Sequence, residues 1–174
     1  MSREEADRME VVVTEDGLHI AGIVISRGRE RADRMEILLV EDDFEDANMT
    51  IQALREGKVP CRLTLVCDGE EAARFLQQAD EFARAPIPDL ILLDMLLPKK
   101  DGRQLLAEIR RDERLKDIPV VVLTGSRVHR TLLEGEGLVV DGFMTKPVDL
   151  KKFVEVVKSL RQSWLTELVV TAVG

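Results

Sequence analysis

The sequence predicts a doubly wound α/β fold, a five-stranded parallel sheet flanked by five helices with an extension at each end, and two observations carry that prediction. Between residues 35 and 160, short apolar runs alternate with amphipathic stretches of helical period, as buried parallel strands alternate with crossover helices. Four of the runs also end in a polar or charged residue, and open α/β sheets place their active crevice at the carboxyl ends of the strands.

The first strand of this series is Ile37-Leu38-Leu39-Val40, which runs directly into Glu41-Asp42-Asp43. Phe44, Ala47, Ile51 and Leu54 follow at helical spacing, and Gly57 closes that helix. Cys61 to Val66 reads as the second strand and Asp68-Gly69 as a turn. Glu70 then opens a second helix extending towards Ala83, before Pro86 and Pro88 force the exit. Leu90-Ile91-Leu92-Leu93 is the third strand and closes on Asp94. Gly102 precedes a third helix with an apolar stripe of Leu105, Leu106 and Ile109, a core stripe by its spacing. Val120 to Leu123 forms the fourth strand and ends in Thr124. Ser126 to Glu134 reads as a fourth helix interrupted by Gly135 and Gly137. Val139 to Thr145 is the fifth strand and leads to Lys146-Pro147. Asp149 caps a fifth helix with Phe153, Val156, Val157 and Leu160 inward.

A carboxylate at the end of an apolar run implies chemistry, and Asp94 is the sharpest case. Brought beside Glu41, Asp42 and Asp43, it makes a cluster that repels itself unless a cation binds. A few hard oxygen ligands completed by water suit Mg²⁺. Acidic residues also favour the first turn of a helix, which alone would explain Glu41-Asp42-Asp43, and Asp43 stands evenly between the two roles. Thr124 and Lys146, a hydroxyl and an ammonium at two further strand ends, favour phosphoryl chemistry.

With these residues in place, the sequence resembles a receiver domain of the two-component response-regulator family (CheY-like, a flavodoxin-like fold) over roughly Met35 to Leu160. The resemblance rests on the Glu41-Asp42 pair, Asp94, the Pro98-Lys99-Lys100-Asp101-Gly102 loop, Thr124 and Lys146-Pro147. The intervals of 30 residues from Asp94 to Thr124 and 22 from Thr124 to Lys146 also suit that family. Leu97 to Arg103, Ile118 to Thr124 and Ser163-Trp164-Leu165-Thr166-Glu167 are similar to the small regulators that partner phytochrome-type histidine kinases. The resemblance implies that Asp94 takes a phosphoryl group from a sensor histidine kinase. It implies Mg²⁺ on Asp42, Asp94, the backbone carbonyl of Leu96 and, through water, Glu41. Lys146 and Thr124 would contact the phosphoryl oxygens, and Phe143 occupies the position of a rotating aromatic unless it is simply packed. No turnover is implied beyond slow self-dephosphorylation.

Composition agrees with a cytoplasmic signalling domain. A net charge of −8 over 174 residues gives no basic face for DNA. The apolar runs are too short for a membrane span, and Ser2-Arg3-Glu4-Glu5-Ala6-Asp7 lacks the character of a signal peptide. Cys61 and Cys67, six residues apart along one predicted strand, would lie about 20 Å from each other, beyond disulfide reach, and read as buried apolar residues. His19 and His129 read as surface residues.

The two extensions are less familiar. Residues 1–34 contain Asp16-Gly17 between β-branched runs, a hairpin signal, although translation starting at Met35 would leave this segment without a role. Residues 161–174, around Trp164, are apolar enough to need covering, and no output module is seen after them. Fold-back is one solution, and a homodimer through the fourth and fifth helices plus this tail is the one the resemblance favours. Two other functional classes compete. A dehalogenase-type aspartyl-phosphate enzyme needs a second Asp where this chain has Leu96. A phosphorylation-independent interaction module would tolerate loss of Asp42, Asp94 or Lys146, all of which are present; a phosphorelay intermediate would keep them.

Overall fold

The structure, a computed structural model, describes residues 10–14, 17–20, 35–57, 61–124, 126–146 and 151–160. In chain order these form β1 (Glu10–Thr14), β2 (Gly17–Ile20), β3 (Met35–Val40), α1 (Phe44–Glu56), β4 (Cys61–Val66), α2 (Gly69–Gln77), β5 (Leu90–Asp94), α3 (Gly102–Arg111), β6 (Val120–Thr124), α4 (Val128–Gly135) and β7 (Gly142–Thr145). A last helix, α5, spans 151–160.

β3 to β7 are parallel in the order β4-β3-β5-β6-β7, the five-stranded sheet the sequence predicts. The parity of their side chains divides the core in two. Ile37, Leu39, Leu63, Leu92 and Val121 pack with Ala47, Ile51 and Leu54 of α1 and with Phe153 and Val157 of α5. Leu38, Val40, Ile91, Leu93 and Val122 pack on the other face with Phe75 and Leu76 of α2, Leu105, Leu106 and Ile109 of α3, and Leu133 of α4. Covering both faces explains why these strands carry unbroken apolar runs.

β1 and β2 pair antiparallel, with Thr14 opposite Gly17, and β1 pairs antiparallel with β4, extending the sheet to seven strands in the order β2-β1-β4-β3-β5-β6-β7. A hairpin of this length is marginal alone, and the open edge of β4 supplies the backbone partners that make it part of a larger sheet. Residues 161–174, Pro147 and the predicted cap Asp149 lie outside the described residues.

Three elements differ from their sequence expectation. The second helix stops at Gln77, well short of Ala83. Gln78 turns left-handed at φ 53°, the Gln78 and Ala79 amides bond back to Phe75 and Arg74, and only a 3-10 turn, Asp80–Phe82, follows. Gly135 closes the last turn of α4 instead of interrupting the helix; Gly137, at φ 68°, supplies the left-handed residue beyond it. The last strand pairs only from Gly142, since Val139 is exposed and the Asp141 carboxylate is turned onto the Val120 amide, 2.8 Å away. Cys61 is buried in β4, Cys67 follows its end half-buried, and the two form no disulfide.

Arg110, in the last turn of α3, ties this side together. Its guanidinium donates to the carbonyls of Lys116 (2.9 Å), Ile118 (2.8 Å) and Val139 (2.9 Å) and pairs with Asp141 at 3.2 Å. These bonds fix the starts of β6 and β7 and so the register of the strands that deliver Thr124 and Lys146. Truncating it would leave acceptors without their donor, and Arg110→Ala is expected to lower stability by about 2 kcal/mol, read as a shift of the urea midpoint at unchanged slope.

Candidate functional site

The carboxyl ends of β3, β5, β6 and β7 converge, and each brings a different chemical group. Glu41 continues the backbone ladder past β3, its amide donating to Val66 at 3.0 Å, and its side chain is only 2% exposed. Asp94 closes β5 at 6% exposure and Thr124 closes β6 fully buried. Lys146 follows β7, and its backbone amide donates to the Thr124 carbonyl, which fixes where its side chain starts.

Glu41, Asp42 and Asp94 each present a carboxylate oxygen within 4.8 Å of the others. Three oxygen ligands, two of them buried and with surplus negative charge, fit a hard divalent ion whose shell water completes. The Lys146 ammonium lies against the same cluster, 2.9 Å from Glu41 Oε2, 3.0 Å from Asp94 Oδ2 and 2.7 Å from Asp46 Oδ2. Asp46 is absent from the sequence reading, where it passes as an ordinary first-turn acid of α1. Asp43 is the N-cap of that helix, its carboxylate accepting from the Glu45 and Asp46 amides, and so takes the bland of its two expected roles.

Burial pushes the Glu41 carboxyl up to about 7; Lys146 pulls it back and Asp94 opposes that pull. Burial works to lower the Lys146 ammonium, but hydrogen bonds to Asp46, Glu41 and Asp94 outweigh it and hold the group above the ordinary lysine range. The cluster therefore keeps a permanent cation and one carboxyl poised near neutrality.

The loop after Asp94 is held down hard. The Leu96 amide donates to Asp94 Oδ1 at 2.9 Å, while the Leu96 side chain stays 66% exposed. A side chain on Gly102 would come within 2.5 Å of the Asp94 carbonyl, and one on Gly69 within 1.9 Å of that of Lys100. Both glycines are there for close backbone approach. Asp101 caps α3 through a reciprocal bond pair with Gln104.

One residue sits differently from expectation, and another takes the packed role that was one of its two expected ones. His129 is half-buried, and its Nδ1 is hydrogen-bonded to the Thr124 hydroxyl, because the first turn of α4 carries it back over the end of β6. Phe143 is half-buried against the α2–α4 core, with the Arg130 guanidinium 5.6 Å from its ring centre. His19 lies in β2 opposite Val12.

A model of the response regulator receiver domain matches residues 37–158. The chain belongs to the response regulator receiver family. This receiver is 44% identical over 101 residues to the response regulator Rcp1 of Synechocystis sp., a stretch covering 58% of this chain and 69% of Rcp1. Among solved structures it is similar to the bacteriophytochrome response regulator RtBRR, at 36% identity and TM-score 0.68, covering 73% of this chain and 78% of that one. The phosphorylated cyanobacterial phytochrome response regulator RcpA gives 42% and 0.65, covering 77% and 96%. The Mn²⁺-bound form of Rcp1 gives 41% and 0.64, covering 75% and 94%. These relatives place the receiver in the phytochrome-associated branch. Of the longer transcriptional regulators it also matches, such as PhoB of Escherichia coli at 37% identity over 75 residues, it spans only 33% of the length.

The raised Glu41 carboxyl makes stability depend on pH. Its folded value, about 7, lies above its ordinary 4.5, so the stability it contributes is complete below the unfolded value and is lost as pH rises through about 7. In chelator, the urea midpoint is expected to fall between about pH 5 and about pH 8 in the wild type, and Glu41→Gln is expected to flatten that slope.

Proposed function

We propose that this receiver is a stand-alone response regulator that accepts a phosphoryl group on Asp94 from the phosphohistidine of a sensor histidine kinase of the phytochrome type, with Mg²⁺ at the acidic cluster. The observation that carries the reading is the setting of Asp94. One of its oxygens is held by the Leu96 amide and the other by Lys146, beside the carboxyl groups of Glu41 and Asp42.

In the reaction an Asp94 oxygen attacks phosphorus, the phosphorus–nitrogen bond of the donor breaks, and the leaving imidazole takes up a proton; the product is an acyl phosphate. Asp42, Asp94 and the Leu96 carbonyl, with Glu41 behind a water, would hold the Mg²⁺. When bound it neutralises charge on the transferring oxygens. Lys146, already 3.0 Å from Asp94, moves from carboxylate to phosphoryl oxygen, and Thr124 offers its hydroxyl to another. The chain acts as phosphoacceptor, with turnover limited to slow self-dephosphorylation.

The relatives support the reading by what their own names record, a phosphorylated RcpA and an Mn²⁺-bound Rcp1. No helix among the described residues is long and apolar enough to cross a membrane, which fits a cytoplasmic partner of a kinase. Output is proposed to leave through a homodimer formed by α4, α5 and the tail around Trp164. In support, Val128 and Leu132 on α4 and Val139 beyond it are exposed, and among the described residues β7 is the last strand of the sheet.

Incubation with acetyl phosphate and Mg²⁺ is expected to add one phosphoryl group to the wild type and none to Asp94→Asn, by intact mass. Wild-type protein that binds Mg²⁺ without being modified would favour a phosphorylation-independent interaction module instead. Native mass at micromolar concentration is expected to show a dimer; a monomer with and without phosphoryl analogue rejects the assembly.

A further inference from the structure

The first turn of α4 holds both residues that a receiver would move. His129 Nδ1 is bonded to the Thr124 hydroxyl, and the next residue, Arg130, lies over the Phe143 ring. α4 has little else to hold it. Leu133 is its one buried residue, its N-cap residue Arg127 makes no side-chain capping bond, the Ser126 hydroxyl accepts from the Val128 amide at 3.2 Å, and its far end is tied by the exposed Arg103–Glu136 pair at 2.8 Å. Exposed ion pairs contribute little, so the grip on Thr124 and Phe143 is a large part of what sets the position of this helix.

The Thr124 hydroxyl has one hydrogen to give. Its oxygen accepts from the Ser126 amide at 3.3 Å and keeps a second lone pair, so the hydrogen selects the tautomer: among the described residues it finds its partner when Thr124 donates to an unprotonated Nδ1, with the His129 proton on Nε2. That hydrogen cannot serve a phosphoryl oxygen at the same time. From this we infer that His129 is a positioning residue, a latch that keeps the Thr124 hydroxyl on α4 and must be released when Asp94 is phosphorylated. The signal then passes to α4 by a broken hydrogen bond, and the neighbouring Arg130–Phe143 contact loosens with it. The inference rests on the receiver reading of Asp94 and adds a residue to it: His129 competes with the phosphoryl group for one hydrogen.

The competition has a definite sign. Removing the acceptor should favour the phosphoryl-bound form by the net worth of one hydrogen bond, about threefold to tenfold in affinity. The probe is beryllium trifluoride with Mg²⁺, a stand-in for the acyl phosphoryl group, titrated into the full chain. His129→Leu is expected to bind it about threefold to tenfold more tightly. His129→Asn, whose Oδ1 reaches the place of Nδ1 and accepts the same hydrogen, is expected to stay within about twofold of the wild type.

A second measurement uses the unaltered protein. With two histidines in the sequence, imidazole ¹⁵N spectra are simple to assign. His129 is expected to show a hydrogen-bond-accepting Nδ1 in the free protein and to lose that signature on adding the probe. A protonated Nδ1 in the free protein, a signature unchanged by the probe, or leucine and asparagine variants that behave alike would each overturn the latch while leaving the receiver reading in place. A wild type that does not bind the probe with Mg²⁺ overturns both.

Discussion

Everything at the carboxyl edge of this sheet is arranged around one ammonium group facing too many carboxylates. Lys146 touches Glu41, Asp46 and Asp94, and Asp42 stands within 4.8 Å of the same cluster. One cation cannot neutralise four acids, and burial raises the cost of leaving them charged. Burial pushes the Glu41 carboxyl up to about 7, with Asp94 adding to the push, and the surplus of oxygen ligands suits a hard divalent ion. Asp94 shares its cation: the Lys146 ammonium that holds one of its oxygens is also bonded to Glu41 and Asp46.

Holding such a cluster requires a frame that does not relax. The parallel strands supply it by being buried on both faces, so that a register shift of β3, β5 or β6 would break the packing of both apolar sets at once. Arg110 then fixes the approach to β6 and β7, and the close backbone contacts at Gly69 and Gly102 fix the loop that follows Asp94. Against this rigid base α4 is lightly attached, with Leu133 as its single buried residue. A charge-crowded site on a firm sheet beside a lightly attached helix suits a switch, since the helix is the element least costly to move.

Much of this was legible in the sequence because it depends on local pattern. Apolar runs bounded by prolines and acids marked β3, β5 and β6, and the residues closing them were the ones the structure brings together. Asp46 was hidden because an acid in a first helical turn is ordinary by itself, and only the path of Lys146, 100 residues away, gives it a partner. His129 was hidden for a similar reason, since its contact depends on how α4 folds back over β6. The stop at Gln78 came from a left-handed residue that is neither glycine nor asparagine. The pairing of β1 with β4 is a long-range antiparallel contact, and a hairpin signal predicts a hairpin without saying which edge receives it.

Lys146 sits on two of the carboxylates that would hold a divalent ion, so the two cations would compete for them. The most direct test is the Mg²⁺ dissociation constant of folded Lys146→Met against the wild type, by calorimetric titration above pH 8. The account predicts binding at least severalfold tighter in the variant, since a positive charge a few ångströms from the ligands has been removed. Equal or weaker binding would show that Lys146 does not oppose the ion, and would contradict the charge balance on which this description of the site depends.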